Sequence, residues 1–124
     1  MIKKNQPQII HGQVLPGQNL GGQTGAHTAN LDLSLAKNLP KGLYSCIVKV
    51  QNKNYPGLLY YGYNSLKQKD CLEVHILNFS QDIYREEIIV TINKFLRPEI
   101  KFDNLKELKR QIKKDLALAN KQNG

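Results

Sequence analysis

Thr28 and Asn30 close the stretch G-Q-N-L-G-G-Q-T-G-A-H-T-A-N, which runs from Gly17 to Asn30. In extended chain, residues two apart point to the same side. The pair therefore offers two neutral oxygens to a hard cation such as Mg²⁺, which prefers oxygen ligands and usually stays partly bound to nucleotide phosphates. Gly17, Gly21, Gly22 and Gly25 precede them. Glycines at that density let backbone N–H groups approach a ligand closely and take up positive φ. The plain alternative is a flexible hairpin loop that only avoids strain. A Walker A loop is excluded, because no Lys follows the glycines and the next element is a strand. A dinucleotide fingerprint is excluded too, since no βαβ unit surrounds the loop.

Glu73 is the second candidate. It opens the otherwise apolar run Val74-His75-Ile76-Leu77, with Phe79 beyond. A carboxylate there either faces solvent from an edge or has a task. Beside a nucleotide it could take the proton of an alcohol nucleophile, which is general-base work. His75 shares its face and suits a core or half-buried position better than a ligand role. His11, His27 and His75 show no metal-ligand spacing, so no zinc site is expected. Arg97, fixed in a turn by Pro98, could address an anionic or aromatic ligand. Its plain alternative is a surface pair with Glu99 or Asp103.

These residues need a frame. Turn signals recur at Pro16-Gly17, Gly21-Gly22, Pro40-Lys41-Gly42, Asn52-Lys53-Asn54 and Pro56-Gly57. The intervening runs Ile9 to Leu15, Leu43 to Val50, Leu58 to Tyr63, Cys71 to Phe79 and Glu87 to Phe95 read as strands. In the fourth run, period two puts Glu73, His75, Leu77 and Phe79 on one face, with Val74, Ile76 and Asn78 on the other. Strands at this spacing without intervening helices imply an antiparallel barrel or sandwich. The tail changes period: Leu105, Leu108, Ile112, Leu116 and Ala119 form one helical stripe. Asn104 with Glu107 is a plausible capping box before it.

At 124 residues the chain suits one domain, over residues 8–120, with frayed ends at 1–7 and 121–124. No run of about 18 apolar residues exists, and the first residues lack the apolar core of a signal peptide, so a cytoplasmic protein is expected. Cys46 and Cys71, each inside a strand-like run, read as small buried or half-buried residues of a reducing compartment, not a disulfide framework or a metal site. The net charge of +8 suits an anionic partner. Nine of the 18 basic residues lie from Lys94 to Lys121, where a solvated helix face accounts for most of them.

In this order and spacing, the segments resemble the riboflavin kinase family, found as a stand-alone enzyme and as the C-terminal module of bifunctional bacterial FAD synthetases. Gly17, Gly21 and Gly25 fall on the glycines of the family's loop, and Thr28-Ala29-Asn30 on its T-A-N. Leu39-Pro40-Lys41-Gly42-Leu43-Tyr44, Glu73-Val74-His75-Ile76-Leu77, Phe95-Leu96-Arg97-Pro98-Glu99 and Lys101-Phe102-Asp103 match further blocks. The resemblance implies an all-β fold with a C-terminal helix: a six-stranded, antiparallel, Greek-key-like barrel. It implies transfer of the ATP γ-phosphate to the 5′-hydroxyl of riboflavin, giving FMN. In that reading Thr28 and Asn30 hold Mg²⁺, and Gly17, Gly21 and Gly25 approach the nucleotide phosphates. Glu73 is the base, while Arg97 and Phe102 border the flavin. The partners are then riboflavin and ATP, with no membrane and a monomeric chain.

The chain departs from the family's pattern in a cluster. Gly22 replaces an Arg, Thr24 a Leu, Ala26 a Phe or Ile, and His27 a Pro. Losing the Pro frees the backbone before Thr28 and leaves the metal ligands less preorganised. Losing the Arg leaves no Lys or Arg between Lys4 and Lys37. A second loop lacks its P-T-F, and Tyr61-Gly62-Tyr63-Asn64-Ser65-Leu66-Lys67 stands instead. No nucleotidyltransferase module is in the chain, so FAD synthesis is not expected. Two alternatives remain open here. One is a member that binds flavin or nucleotide without turnover. The other is a basic barrel that binds nucleic acid, for which Tyr55, Tyr60, Tyr61 and Tyr63 are the one aromatic cluster.

Overall fold

A computed structural model describes residues 8–16, 26–64, 67–79, 81–99, 107, 110–111, 113–115 and 117. Six strands follow one another: β1 (Gln8–Gln13), β2 (Ala26–Leu31), β3 (Gly42–Val50), β4 (Lys53–Asn64), β5 (Lys69–Leu77) and β6 (Glu87–Arg97). They form one antiparallel sheet in the order β1-β6-β3-β4-β5-β2. Strands β3, β4 and β5 make a meander, and β6 returns beside β3, which is Greek-key order. A bridge between Leu15 and Asn30 links the two ends of that order, so the sheet curls into a half-barrel. The expected all-β architecture is the observed one.

Period two divides each strand between two faces. The inner face carries the main core, including Ala29, Tyr44, Val48, Leu59, Val74, Ile76, Val90 and Ile92. The outer face carries a smaller cluster of Leu43, Leu58 and Leu77, with Tyr60 and Leu96 against it. Thr28 and Asn30 alternate with Ala29 and Leu31, so they too belong to the outer face, as do Glu73 and His75.

Several boundaries differ from the expected ones. The β3–β4 turn is Gln51-Asn52, with both residues at positive φ (51° and 66°) and Val50 paired to Lys53. That is the primed two-residue hairpin whose twist matches its strands. Pro56-Gly57 is no turn; it lies inside β4. Pro56 has β3 alone as neighbour, because pairing with β5 begins at Gly57↔Ile76, and a proline is tolerated on such an edge. Leu31-Asp32-Leu33 does not continue as strand. Asp32 accepts a hydrogen bond from Ser34 N at 2.9 Å and starts a 3-10 turn over Leu33–Ala36. Phe79 does not share the face of Glu73: β5 ends at Leu77, and Asn78, at φ 57°, turns Phe79 into the main core against Tyr55.

In β6, Leu43↔Arg97 is followed by Tyr44↔Phe95, and Ser45↔Lys94 by Cys46↔Ile92. Leu96 and Asn93 are therefore the extra residues of two bulges, which re-aim the end of the strand. Gly42 faces that end at φ 153°, and a Cβ there would stand 2.5 Å from the Arg97 carbonyl oxygen. Both cysteines are free and buried. Glu107, Arg110, Gln111, Lys113, Lys114, Asp115 and Ala117 are helical, in agreement with the tail's change of period. The stripe residues Leu105, Leu108, Ile112, Leu116 and Ala119, and Asn104 of the capping box, lie outside the described residues. So do Gly17, Gly21, Gly22, Gly25, Phe102, Asp103 and the two chain ends. No helix among the described residues is long and apolar enough to cross a membrane.

Candidate active site

Register assembles the site. Across the β2–β5 pair, Thr28 faces His75 and Asn30 faces Glu73. Across β4–β5, Leu58 faces His75 and Tyr60 faces Glu73. Directly opposed residues of an antiparallel pair have Cβ atoms about 5 Å apart and share a face. Thr28, Asn30, Glu73 and His75 are thus one patch on the outer wall, not lodged within the barrel. They are nonetheless buried, with Glu73 only 5% exposed. The edge-glutamate alternative therefore fails: β5 has neighbours on both sides at this residue.

Glu73 is held from two directions. Its Oε1 accepts from Asn64 Nδ2 at 3.0 Å and from the Cys71 thiol at 3.0 Å. Its Oε2 accepts from Lys67 Nζ at 3.3 Å. The same ammonium donates to Asn30 Oδ1 at 2.7 Å, and the Lys67 backbone N–H donates to Asn64 Oδ1 at 3.1 Å. Thr28 Oγ1 and His75 Nδ1 share a hydrogen bond of 3.0 Å.

Burial alone would push the Glu73 carboxyl upward. The His75 ring, the Cys71 thiol, the Lys67 ammonium and the Asn64 amide outweigh it and hold the group below its ordinary value. His75 goes down as well, chiefly because burial penalises the imidazolium; Glu73 and Asp115 oppose this without reversing it. At neutral pH the ring is uncharged, which leaves Lys67, the thiol and the amide to keep Glu73 ionised. Burial next to that carboxylate pushes the Cys71 thiol up, so it stays protonated and remains a donor.

Arg97 does not pair with Glu99. Its Nε and Nη2 grip Asp115 at 3.0 and 2.7 Å, and Gln111 Nε2 donates to the same carboxylate at 2.9 Å. This bidentate pair clamps the helical segment to the end of β6, with the guanidinium 6.0 Å from the Tyr60 ring centroid. Glu99 instead accepts from Tyr63 N at 2.9 Å. The tyrosines do not form an exposed stacking platform: Tyr55 and Tyr61 pack against the main core and Tyr60 against the smaller cluster.

A groove of about 620 Å³ opens beside Asn30, with Leu15, Asp32, Lys67, Lys69 and Cys71 in its lining. Lys67 and Asn30 border the groove and touch each other, and Lys67 also touches Glu73. The oxygens gathered here are a hydroxyl, a carboxamide and a carboxylate, the hard donor set that Mg²⁺ accepts. The Lys67 ammonium already sits on two of them, the carboxamide and the carboxylate, so a divalent ion would share these oxygens with it or displace it. Among the described residues, no cluster of three or more His, Cys, Asp and Glu side chains offers a metal an all-protein site. Sequence reasoning named Thr28, Asn30 and Glu73, which the fold brings together. It missed Asn64, Lys67, Cys71 and Asp115. Of these, only Cys71, two residues before Glu73, could have been placed on its face by period alone.

A family model described as "Flavokinase: Riboflavin kinase" matches residues 4–123. The trifunctional protein RibF/MnmA of Mycoplasmoides gallisepticum is 40% identical over 114 residues, covering 88% of this chain and 17% of that protein. The bifunctional riboflavin kinase/FMN adenylyltransferase of Buchnera aphidicola subsp. Schizaphis graminum is 38% identical over 125 residues, covering 94% of this chain and 39% of that protein. The chain thus spans well under half the length of either relative. The crystal structure of riboflavin kinase from Trypanosoma brucei superposes with a TM-score of 0.64 at 19% identity, over 97% of this chain and 82% of that one, a likeness of fold.

Proposed function

Since the chain belongs to the riboflavin kinase family, we propose that it transfers the γ-phosphate of ATP to the 5′-hydroxyl of riboflavin, yielding FMN and ADP. The observation that carries this is the shared outer-wall patch: Asn30 opposite Glu73, Thr28 opposite His75, and a cation on Asn30 and Glu73. Phosphoryl transfer asks a protein mainly for positioning and charge neutralisation, and the patch is equipped for both.

Thr28 and Asn30 would hold Mg²⁺ on the nucleotide. Bound there, the ion would neutralise charge on the phosphate oxygens. Glu73 takes the proton of the 5′-hydroxyl as that oxygen bonds to the γ-phosphorus and the bond to the ADP oxygen breaks. Its two-sided hydrogen bonding fixes the carboxylate, and its lowered proton affinity keeps it ready to accept. His75 orients the Thr28 hydroxyl from behind through Nδ1. Arg97 reaches the flavin only indirectly, by clamping the Asp115 segment over the outer face. The glycine segment and Phe102 belong to the same proposal, as phosphate approach and flavin border respectively. In the cell the substrates are free riboflavin and ATP, and the chain acts as a cytoplasmic monomer.

The test is incubation of the full chain with riboflavin and Mg-ATP, with FMN resolved by chromatography. Formation of FMN, lost in Glu73→Gln, supports the proposal. Quenching of flavin fluorescence without FMN would reduce the chain to a binder and refute it. A salt-steep gel shift with RNA and no flavin effect would refute it in favour of nucleic-acid binding.

A further inference from the structure

The anionic substrate just proposed needs a cation, and no Lys or Arg lies between Lys4 and Lys37 to supply it from the glycine segment. Among the described residues, the other candidates near the patch are paired elsewhere or exposed. Arg97 is bidentate to Asp115, and Lys41 pairs with Asp70 at 2.8 Å on the surface. Lys69 borders the groove but is exposed.

Lys67 is as buried as Arg97, its side chain 16% exposed, but unlike all three its ammonium contacts both a candidate metal ligand and the candidate base. Its backbone is tied to Asn64, whose amide is tied in turn to Glu73. That closed loop of hydrogen bonds fixes the lysine before any substrate arrives, which lowers the ordering cost of using it. An ammonium has three donors, and Lys67 lines the groove as well as touching Asn30 and Glu73.

Resting on phosphoryl transfer at this patch, we propose that Lys67 is the phosphate-binding cation of the site. From its seat between Asn30 and Glu73 it meets the triphosphate in the adjoining groove. It supplies a positive charge of the kind that the sequence between Lys4 and Lys37 lacks. It is also a positioning residue for the base, because the same ammonium aligns Glu73 Oε2.

The probe is inorganic tripolyphosphate, titrated calorimetrically into the full chain in metal-free buffer, so that neither Mg²⁺ nor turnover enters. Wild type should bind it. Lys67→Met should weaken binding about tenfold or more, the usual scale for losing a charged hydrogen bond, and Lys67→Arg should restore most of it. Lys49→Met, an exposed control on β3, should change nothing. Equal affinity in Lys67→Met and wild type overturns the proposal, and so does an equal loss in Lys49→Met. Should Lys67→Met fail to fold, Glu73→Gln decides: releasing the ammonium from its carboxylate must tighten tripolyphosphate binding, and unchanged or weaker binding overturns the idea. FMN assays on wild type run alongside. Lys67-dependent binding without FMN would sink the kinase activity and leave the anion site standing. FMN formation with Lys67-independent binding would do the reverse.

Discussion

Replacing Glu73 by Gln keeps the side-chain shape and removes one charge, and the structure says why that isostere still fails. Oε1 receives two donors, Asn64 Nδ2 and the Cys71 thiol, while Oε2 receives the Lys67 ammonium. A glutamine must turn its NH₂ toward one side or the other. Either orientation sets a donor against a donor, in a place where the residue is 5% exposed. At the 3.3 Å Lys67–Glu73 separation, the gross attraction in an effective dielectric of about 20 is about 5 kcal/mol, and desolvation cancels most of it. The net loss should be about 1–3 kcal/mol, the scale of an orphaned buried polar group. For a chain of 124 residues that lowers Tm by about 3–5 °C per kcal/mol. Activity should fall further, by about 10²–10⁴-fold, because the proton acceptor is gone. Thermal melting followed by circular dichroism reads the first effect, and FMN formation at saturating Mg-ATP the second. A Gln variant that melts with wild type and keeps activity within threefold would refute both the hydrogen-bond logic and the base role.

Thr28→Ala should cost activity mainly by raising the Mg-ATP requirement, since one of two neutral oxygens is lost; an unchanged dependence on Mg-ATP counts against its metal role. His75→Phe should flatten stability against pH below about 6.5, the unfolded value. The sign follows from proton uptake: on acidification the unfolded imidazole binds a proton that the buried ring refuses. Wild-type stability therefore falls as pH drops through that window, by at most 1.36 kcal/mol per unit from this group. Identical urea-midpoint profiles for variant and wild type from pH 7 to 5 would contradict it. Arg97→Lys keeps a charge but loses the fork that holds Asp115, which is 5% exposed. A stability loss of about 1–3 kcal/mol is expected by urea unfolding, and a neutral result would show that the clamp is dispensable.

What the sequence disclosed was whatever local pattern governs. Alternation from Glu73 to Leu77 put Glu73 and His75 on one face because β5 is regular there. It failed at Phe79 because one αL residue, Asn78, resets the alternation and leaves no mark in composition. Thr28-Ala29-Asn30 was legible as an extended pair, yet its partners His75 and Glu73 depend on β2–β5 register, which is long-range. Lys67 was illegible for a different reason. In Lys67-Gln68-Lys69-Asp70 it looks like part of a solvated turn, and only the fold-back from Asn64 carries its ammonium to Glu73. Asp115, next to Lys113 and Lys114, likewise reads as a solvated helix face until Arg97 is known to lie beneath it.

The position of the site on the outer wall has an energetic consequence. Its fixed charges are Glu73 and Asp115 against Lys67 and Arg97, and each opposite pair is in contact, so the patch stores little net field. The groove lining is balanced as well, with Lys67 and Lys69 against Asp32 and Asp70. The net charge of +8 therefore does not concentrate at this patch among the described residues, and steering by the whole chain cannot substitute for local neutralisation. A triphosphate brings several negative charges to a place whose charges already cancel. On the proposed reading, a divalent ion on Thr28 and Asn30 and the Lys67 ammonium, shared away from Glu73, would offset part of that charge. On that reading, sharing Lys67 would weaken its hold on Glu73 and by itself raise the carboxylate's proton affinity, while the divalent ion opposite would act the other way. Occupancy of the groove and the state of the Glu73 carboxylate would then be coupled through a single ammonium.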